Sequence, residues 1–321
     1  MRAIQVSEHG GPEVLRSVEV EAPRIEPRQL LVDTDAIGVN YIDIYFRTGL
    51  YPQATPYIPG SEGTGVVAEV GPEVTEFTVG DRVAWAAAPG SYAQRVAVDE
   101  AVAVKVPEGV EPTVAAAALL QGMTAHYLVE SVFTPEPGDA VLVHAGAGGV
   151  GLLLTQLAAA KGARVVTTVS TDAKEQLSRE AGATEVLRYD DDLAARVRDL
   201  TDGQGVAAVY DGVGASTFEA SLASLRVRGT LALFGAASGP VPPFDPQRLN
   251  PAGSLWLTRP SLGAYTRDRT EFLWRATDVF NAIAEGALKL RVGATYPLAD
   301  AAEAHRDLAA RTTTGSIVLL P

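Results

Sequence analysis

Residues 141–153 read VLVHAGAGGVGLL, four glycines within six positions between two apolar runs. Glycine clusters of this kind let a backbone come close to a ligand. Gly146, Gly148 and Gly151 follow the spacing GxGxxG. Behind a strand and ahead of a helix, that spacing gives a tight turn and close approach to a pyrophosphate. The first N–H groups of the helix and its partial positive charge then face the anion. The residues that would cradle the pyrophosphate are Gly146, Ala147, Gly148, Gly149 and Val150. The context is the required one: DAVLVHA reads as a strand, a helix opens near Gly149, and further strand–helix units follow. A glycine-rich turn that binds nothing is the plain alternative.

Which dinucleotide fits depends on the end of the second strand. There, about 20 residues beyond the glycines, an NAD site places a carboxylate on the ribose 2′-hydroxyl. ARVVTTV (163–169) instead runs into Ser170 and Thr171, with Lys174 one turn later. Asp172 competes for the ribose role, but with Glu175 three residues on it also fits a capping pattern, Asp172 as the N-cap. The capping reading leaves Ser170 and Lys174 for a 2′-phosphate. Arg188 and Tyr189, ending the next strand, would close the same pocket. NADPH is therefore expected ahead of NADH.

The elements that hold such a loop need a sizeable core, and 321 residues with 47% hydrophobic and 20% charged residues supply one. Asp and Glu exceed Lys and Arg by 39 to 26, a net charge of −13 that opposes binding to nucleic acid or an anionic membrane. The absence of cysteine excludes disulfides, thiolate nucleophiles and cysteine-bound metal centres. The N-terminus MRAIQVSEHGG alternates apolar and polar residues and lacks a signal core, so a cytoplasmic protein is expected. The most apolar segment, 141–160, contains His144 and Gln156 and divides into a strand and a buried helix; no membrane span is expected.

The first 120 residues are short β-rich runs bounded by Gly and Pro: LLVDTDAIGVN (30–40), GTGVVAEVG (63–71), DRVAWAA (81–87) and SYAQRVAV (91–98). They suggest an antiparallel, barrel-like domain. From about residue 112 strands and helices alternate, through TEVLRY (184–189), GVAAVYDGVG (205–214) and GTLALFG (229–235), as in a doubly wound parallel α/β sheet. The acidic DDD of 190–192 reads as a solvated helix start, and 239–251 as an irregular proline-rich loop. Beyond it, 273–290 and 296–311 carry helical spacing, and GSIVLL (315–320) is a last strand. The expected domains are 1–122, 123–262 and a return to the first domain over 263–321.

PGSEGTGVVAEVG (59–71) followed by GDRV (80–83) resembles the signature of the medium-chain dehydrogenase/reductases. In their zinc alcohol dehydrogenase branch the corresponding stretch begins Gly-His-Glu, the histidine binding zinc; here that position is Ser61. GVNYIDIYFRTGLYP (38–52), LLQGMTAHYL (119–128), YDGVG (210–214), TRPSL (258–262) and the closing TTTGSIVLLP resemble the zinc-free quinone oxidoreductases, the group that includes zeta-crystallin. The resemblance implies a mainly-β GroES-like catalytic domain joined to a Rossmann domain, a homodimer, and NADPH-dependent reduction of quinones. The zinc-independent chemistry it implies is chiefly positioning, because a quinone is already electrophilic.

By the same resemblance Asn40 and Asp43 lie near the nicotinamide ribose, and Tyr45 and Tyr51 line the acceptor pocket. For the tyrosines ordinary packing is the alternative, and for Asn40 a helix cap before YIDIYF. Gln121 and Thr124 are expected at the nicotinamide, and Val213, Phe234 and Gly235 at the carboxyl edge of the sheet. Arg311 is either a cofactor contact or a solvent-exposed arginine at a helix end. His9, His126, His144 and His305 read as structural, with His305 on a surface-like helix. The enzymatic rival is a reductase of activated carbon–carbon double bonds, alkenals or enoyl thioesters, with a tyrosine as proton donor. A nucleotide-sensing, RNA-binding or structural protein is the non-enzymatic alternative.

Overall fold

The computed structural model describes residues 1–189 and 192–321, so Asp190 and Asp191 of the acidic run lie outside the described residues. The chain divides into two compact units, Met1–Met123 with Thr266–Pro321, and Thr124–Tyr265. In the first, β1 (Arg2–Val6) and β2 (Leu15–Glu19) pair antiparallel. There follow β3 (Gln29–Val39), α1 (Tyr41–Arg47), β4 (Gly63–Val70), β5 (Arg82–Trp85), β6 (Arg95–Asp99), β7 (Ala103–Lys105), α2 (Pro112–Ala115) and α3 (Leu119–Tyr127). The second unit carries β8 (Ala140–Val143), α4 (Gly149–Ala160), β9 (Arg164–Val169), α5 (Asp172–Glu180), β10 (Glu185–Arg188), α6 (Leu193–Asp199), β11 (Val206–Asp211), α7 (Phe218–Ser224), β12 (Leu225–Leu233) and β13 (Trp256–Thr258). The chain returns to the first unit with α8 (Arg269–Ala284), β14 (Val292–Pro297), α9 (Ala301–Ala309) and β15 (Ser316–Leu320).

The first unit is built on a sheet of order β14-β15-β3-β4-β5-β7, with β6 also on β3. Its pairs are antiparallel except β14 with β15. Two clusters fill it: Leu30, Val32, Val67, Phe77, Val83 and Trp85 form one, and Ile4, Val6, Ile37, Tyr92 and Leu319 belong to the other. Burying these side chains contributes about 1.5–3 kcal/mol each. Trp85 is fully buried, and its indole N–H is satisfied by the Ser91 hydroxyl at 2.9 Å. Helix α9 corrects the expectation for 296–311. Tyr296 and Pro297 end β14, in register with Leu319 and Leu320, and the α-helix begins only at Ala301.

The second unit is a six-stranded parallel sheet of order β10-β9-β8-β11-β12-β13. Its central strands β8, β9 and β11 are apolar and largely buried, β11 at every residue, whereas β12 and the edge strand β13 carry exposed residues. The chain steps outward from β8 to β10 and returns to β11, so strand order reverses beside β8. Helix α4 starts at that reversal, where open α/β sheets bind ligands. The apolar segment 141–160 is thus the strand β8, the glycine turn and α4. Among the described residues no helix is long and apolar enough to cross a membrane.

Candidate functional site

In the second unit the glycine turn links β8 to α4. Gly148 is the N-cap of α4 in an extended conformation, and Leu152 N–H, the first intrahelical donor, reaches its carbonyl at 2.9 Å. The preceding N–H groups of this first turn have no intrahelical acceptor. The glycines are required by space. A Cβ on Gly151 would stand 2.2 Å from the Ala145 carbonyl oxygen, and one on Gly146 2.6 Å from Thr167 Cβ. A Cβ on Gly148 would meet only the Ala145 oxygen, at 3.3 Å, so this face of the loop is open. A narrow turn with open N–H groups at a helix start fits a pyrophosphate.

At the end of β9 the Lys174 ammonium lies 3.4 Å from the Ser170 hydroxyl. Asp172 is not the cap of α5, in correction of the sequence reading. Thr171 is the N-cap, its hydroxyl accepting from Lys174 N–H, while Asp172 enters the first turn. Asp172 instead pairs with Arg188 at 2.7 Å, and Glu175 holds the same guanidinium nitrogen at 2.8 Å. The other terminal nitrogen of Arg188 is buried and unbonded. Among the described residues the carboxylates at this strand end, Asp172 and Glu175, are paired with Arg188, and the Ser170–Lys174 pair fits a 2′-phosphate. Tyr189 accepts from Ala145 N–H at 2.8 Å and stacks on His144, rings 6.1 Å apart and 18° off parallel.

Val213, Phe234 and Gly235 come together at the carboxyl ends of β11 and β12. Asp211 is fully buried and organises them: Oδ1 accepts from Val213 and Gly214 N–H, at 2.8 and 3.0 Å, and its carbonyl from Phe234 N–H. Its Oδ2 accepts from the Ser221 hydroxyl at 2.7 Å. Ser221 thus accepts from His144 Nε2, at 3.0 Å, and Nδ1 of that ring accepts from Thr168 Oγ1, at 2.9 Å. Burial lowers the pKa of His144, which fits this neutral, one-donor ring. The expectation that this histidine is structural agrees with its place.

In the first unit Asn40, Asp43 and Gln121 meet in one buried network. Asn40 is the N-cap of α1, and Asp43 Oδ2 accepts from its backbone N–H at 2.9 Å. The Asn40 carboxamide donates through Nδ2 to Glu62 Oε2 at 2.7 Å and accepts from Gln121 Nε2 at 3.0 Å. Gln121 Oε1 in turn accepts from the Ser316 hydroxyl at 2.7 Å. Both readings of Asn40, cap and polar site residue, are compatible with this geometry. Asp43 is more enclosed than a residue facing a ligand: it is 2% exposed and takes the Tyr92 hydroxyl at 3.0 Å.

Behind Asp43 the network continues to His305, which is fully buried and not on a solvent face, a further correction. Arg47 has only donors, so its Nη1 donates to His305 Nδ1 at 3.1 Å. Nε2–H then donates to Tyr92 Oη at 2.9 Å, and Tyr92 donates onward to Asp43. Burial and the Arg47 charge push His305 down to about 3, burial lifts Asp43 to about 7, and burial lifts Glu62 to about 8.

Tyr45 and Tyr51 are in edge contact, centroids 5.2 Å apart, with Phe46 5.7 Å from Tyr51. Arg311 follows α9 in a left-handed conformation (φ 57°) and hydrogen-bonds the Tyr41 hydroxyl. Thr124 is buried on α3, as is Gln121, the first assigned to the second unit and the other to the first. Among the described residues no group of three or more His, Asp or Glu side chains is set to hold a metal.

Glu62, Tyr92, Arg47, Asp211 and Ser316 were not expected from the sequence. Glu62 left one signal: a carboxylate flanked by Ser and Gly at the mouth of an apolar strand. A Cβ on Gly38 would stand 2.5 Å from its Oε2 and 2.5 Å from the Ala116 carbonyl oxygen, so glycine there leaves room for both.

Two family profiles match the chain, an alcohol dehydrogenase GroES-like domain over residues 26–108 and a zinc-binding dehydrogenase over 149–273. A quinone oxidoreductase of Pseudomonas aeruginosa is 43% identical, covering all of this chain and 99% of the relative. A 2-haloacrylate reductase of a Burkholderia species is 40% identical over 99% of this chain and 98% of its own length. A mycobacterial protein solved in complex with NADPH superposes with a TM-score of 0.98 at 58% identity, each chain covered in full.

Proposed function

This chain belongs to the zinc-free quinone oxidoreductase branch of the medium-chain dehydrogenase/reductases, and from that premise we propose that it reduces quinones with NADPH. The observation that carries the reading is the open glycine turn at the start of α4, with Ser170 and Lys174 rather than a spare carboxylate beside it. When bound, the dihydronicotinamide supplies a hydride to the electrophilic acceptor.

The protein's own part is to bind, orient and exclude water. Gly146, Ala147, Gly148, Gly149 and Val150 hold the pyrophosphate, and Ser170, Lys174 and Tyr189 enclose the 2′-phosphate end. Val213, Phe234 and Gly235, fixed by Asp211, shape the carboxyl edge of the sheet. Asn40, Gln121 and Thr124 orient the nicotinamide half, and Arg311 supplies a cation toward the cofactor. Asp43 supports Asn40 through the cap of α1. Tyr45 and Tyr51 offer a flat aromatic wall to the acceptor. Orientation at near-attack distance accounts for most of the rate such a site needs.

A homodimer and a cytoplasmic location belong to the same proposal. Support for pairing comes from the sheet edge β13, where Trp256 is 68% exposed, and from Val227, 70% exposed.

The test is NADPH oxidation by chelator-treated protein with quinones, a 2-haloacrylate, an alkenal and crotonyl thioester, each repeated with NADH. Saturable, NADPH-preferring turnover of quinones is expected. Faster turnover of the haloacrylate, alkenal or thioester would assign the site to double-bond reduction, and NADPH binding without turnover would make it a binding protein.

A further inference from the structure

Glu62 takes no part in the reading above, yet its fully buried carboxyl group is bonded to the side chain of Asn40, a residue of the nicotinamide group. It precedes β4, and its two oxygens are committed to different elements. Oε1 accepts from Leu120 N–H at 2.7 Å, in the first turn of α3, where backbone donors have no intrahelical partner. Oε2 accepts from Asn40 Nδ2.

A carboxylate oxygen can only accept, and this decides the rest. Asn40 must present its NH2 to Glu62 and therefore its oxygen to Gln121. Gln121 must then present its NH2 to Asn40 and its oxygen to Ser316, whose hydroxyl donates. Hydrogen bonds run one way, from Ser316 through Gln121 and Asn40 to Glu62. Each amide nitrogen has two N–H groups, and the second on Asn40 and on Gln121 has no partner among the described residues. A protonated Glu62, donating from Oε2, reverses every step: Asn40 turns its oxygen to Glu62, Gln121 turns its oxygen to Asn40, and Ser316 accepts.

We propose that Glu62 is a positioning residue whose carboxyl group sets the direction of this amide chain, and so which edges of Asn40 and Gln121 are offered to the nicotinamide half of NADPH. This rests on the reading that Asn40 and Gln121 face that half. Burial lifts Glu62 to about 8 against the hydrogen bonds from Leu120 and Asn40, so both directions are reachable near neutral pH. The charged or titratable groups facing it are Asp43 and, beyond that, Tyr92, His305 and Arg47; α3 presents only its N-terminal amides.

Glu62→Gln keeps the shape but fixes a donor opposite Asn40, locking the reversed chain. Wild-type protein is expected to show a single step near pH 8 in the Kd for NADPH, with tighter binding on the alkaline side. Glu62→Gln is expected to lose that step and to bind at least tenfold more weakly at pH 9, with an undiminished melting temperature. A step that survives the substitution, or an unchanged Kd at pH 9, overturns the proposal. The wild-type apoprotein gives an independent reading without substitution or turnover. In 15N spectra the side-chain NH2 signals of Asn40 and Gln121 should titrate together with one midpoint, and separate or absent titration overturns the proposal. Asn40→Ala separates the two levels. If it leaves NADPH binding intact, the reading of Asn40 fails; if it weakens binding while Glu62→Gln does not, only the role of Glu62 fails.

Discussion

Replacing Lys174 by alanine isolates the group proposed to distinguish NADPH from NADH. The ammonium lies 3.4 Å from the Ser170 hydroxyl, on the exposed end of β9, and a phosphate held by both would sit about 4 Å from it. At that distance two unit charges attract by about 1 kcal/mol in bulk water and about 4 kcal/mol at the effective dielectric of a protein surface. The site is open, so the low end applies, as for other exposed ion pairs, although a phosphate carries nearly two charges. A loss of about 1.5–3 kcal/mol follows, which is roughly 10- to 150-fold in kcat/KM for NADPH. NADH lacks the phosphate and should be affected less than about twofold. Arg188 is a poor substitute because Asp172 and Glu175 share one of its terminal nitrogens. The backbone should not suffer, since the cap bond from Thr171 goes to the Lys174 main chain. The assay is initial-rate kinetics with both nucleotides at two ionic strengths. Salt should weaken NADPH use by the wild type more than by the variant, over Debye lengths of about 8–10 Å. Equal losses with NADPH and NADH would refute the assignment of the 2′-phosphate to this lysine.

Two further outcomes follow from burial and space. Gly151→Ala places a Cβ 2.2 Å from the Ala145 carbonyl, backbone against backbone, so the turn must open. We expect a loss of about 2–4 kcal/mol, read as a fall in melting temperature, together with loss of NADPH binding; a variant that melts and binds like the wild type would refute the tight turn. The raised pKa values of Asp43 and Glu62, about 7 and about 8, give the second. A group whose folded pKa exceeds its unfolded one contributes stability that is complete below the unfolded pKa and is lost as pH rises through the folded one. Between pH 4.5 and 8, wild-type protein should therefore lose stability, on the order of 4 kcal/mol from Glu62 alone. Glu62→Gln should melt progressively higher than the wild type as pH rises across this range, and a constant difference in thermal scans would contradict the burial argument.

The glycine turn was legible because its chemistry demands a residue type: no side chain but hydrogen leaves room at Gly146 and Gly151. The strands were legible for a similar reason, since two-sided burial in β8, β9 and β11 requires continuous apolar runs and their crossovers require helices. What escaped depends on distant partners. Thr171 and Asp172 are adjacent and both favourable caps, and the choice between them goes with an ion pair to Arg188, sixteen residues on. His305 lies on a helix whose polar pattern suggests a surface. It is buried because α9 packs on the cluster of Ile4, Ile37 and Leu319 and meets Arg47, 258 positions away in the chain. Glu62 finds its donors 22 and 58 residues away, in a cap and a helix start that no local periodicity connects.

The networks in the two units solve one physical problem. Side-chain amides, hydroxyls and imidazoles can be turned end for end at little steric cost, so packing alone leaves their donors and acceptors undirected. A group that can only accept, or only donate, removes the ambiguity. In the second unit Asp211 compels Ser221 to donate, hence His144 to donate to Ser221 and Thr168 to donate to His144. In the first, Arg47 acts from the donor end through His305 and Tyr92 to Asp43, and Glu62, when ionised, from the acceptor end through Asn40 and Gln121 to Ser316. Each buried charge costs desolvation, visible in the upward shifts of Asp43 and Glu62. A stability-optimised core would replace such groups with apolar ones at little loss. Their placement behind the residues proposed to meet the cofactor is what catalysis by positioning would require. With hydride transfer to a quinone, orientation is the main lever the protein holds, and an amide presented by its wrong edge would forfeit it.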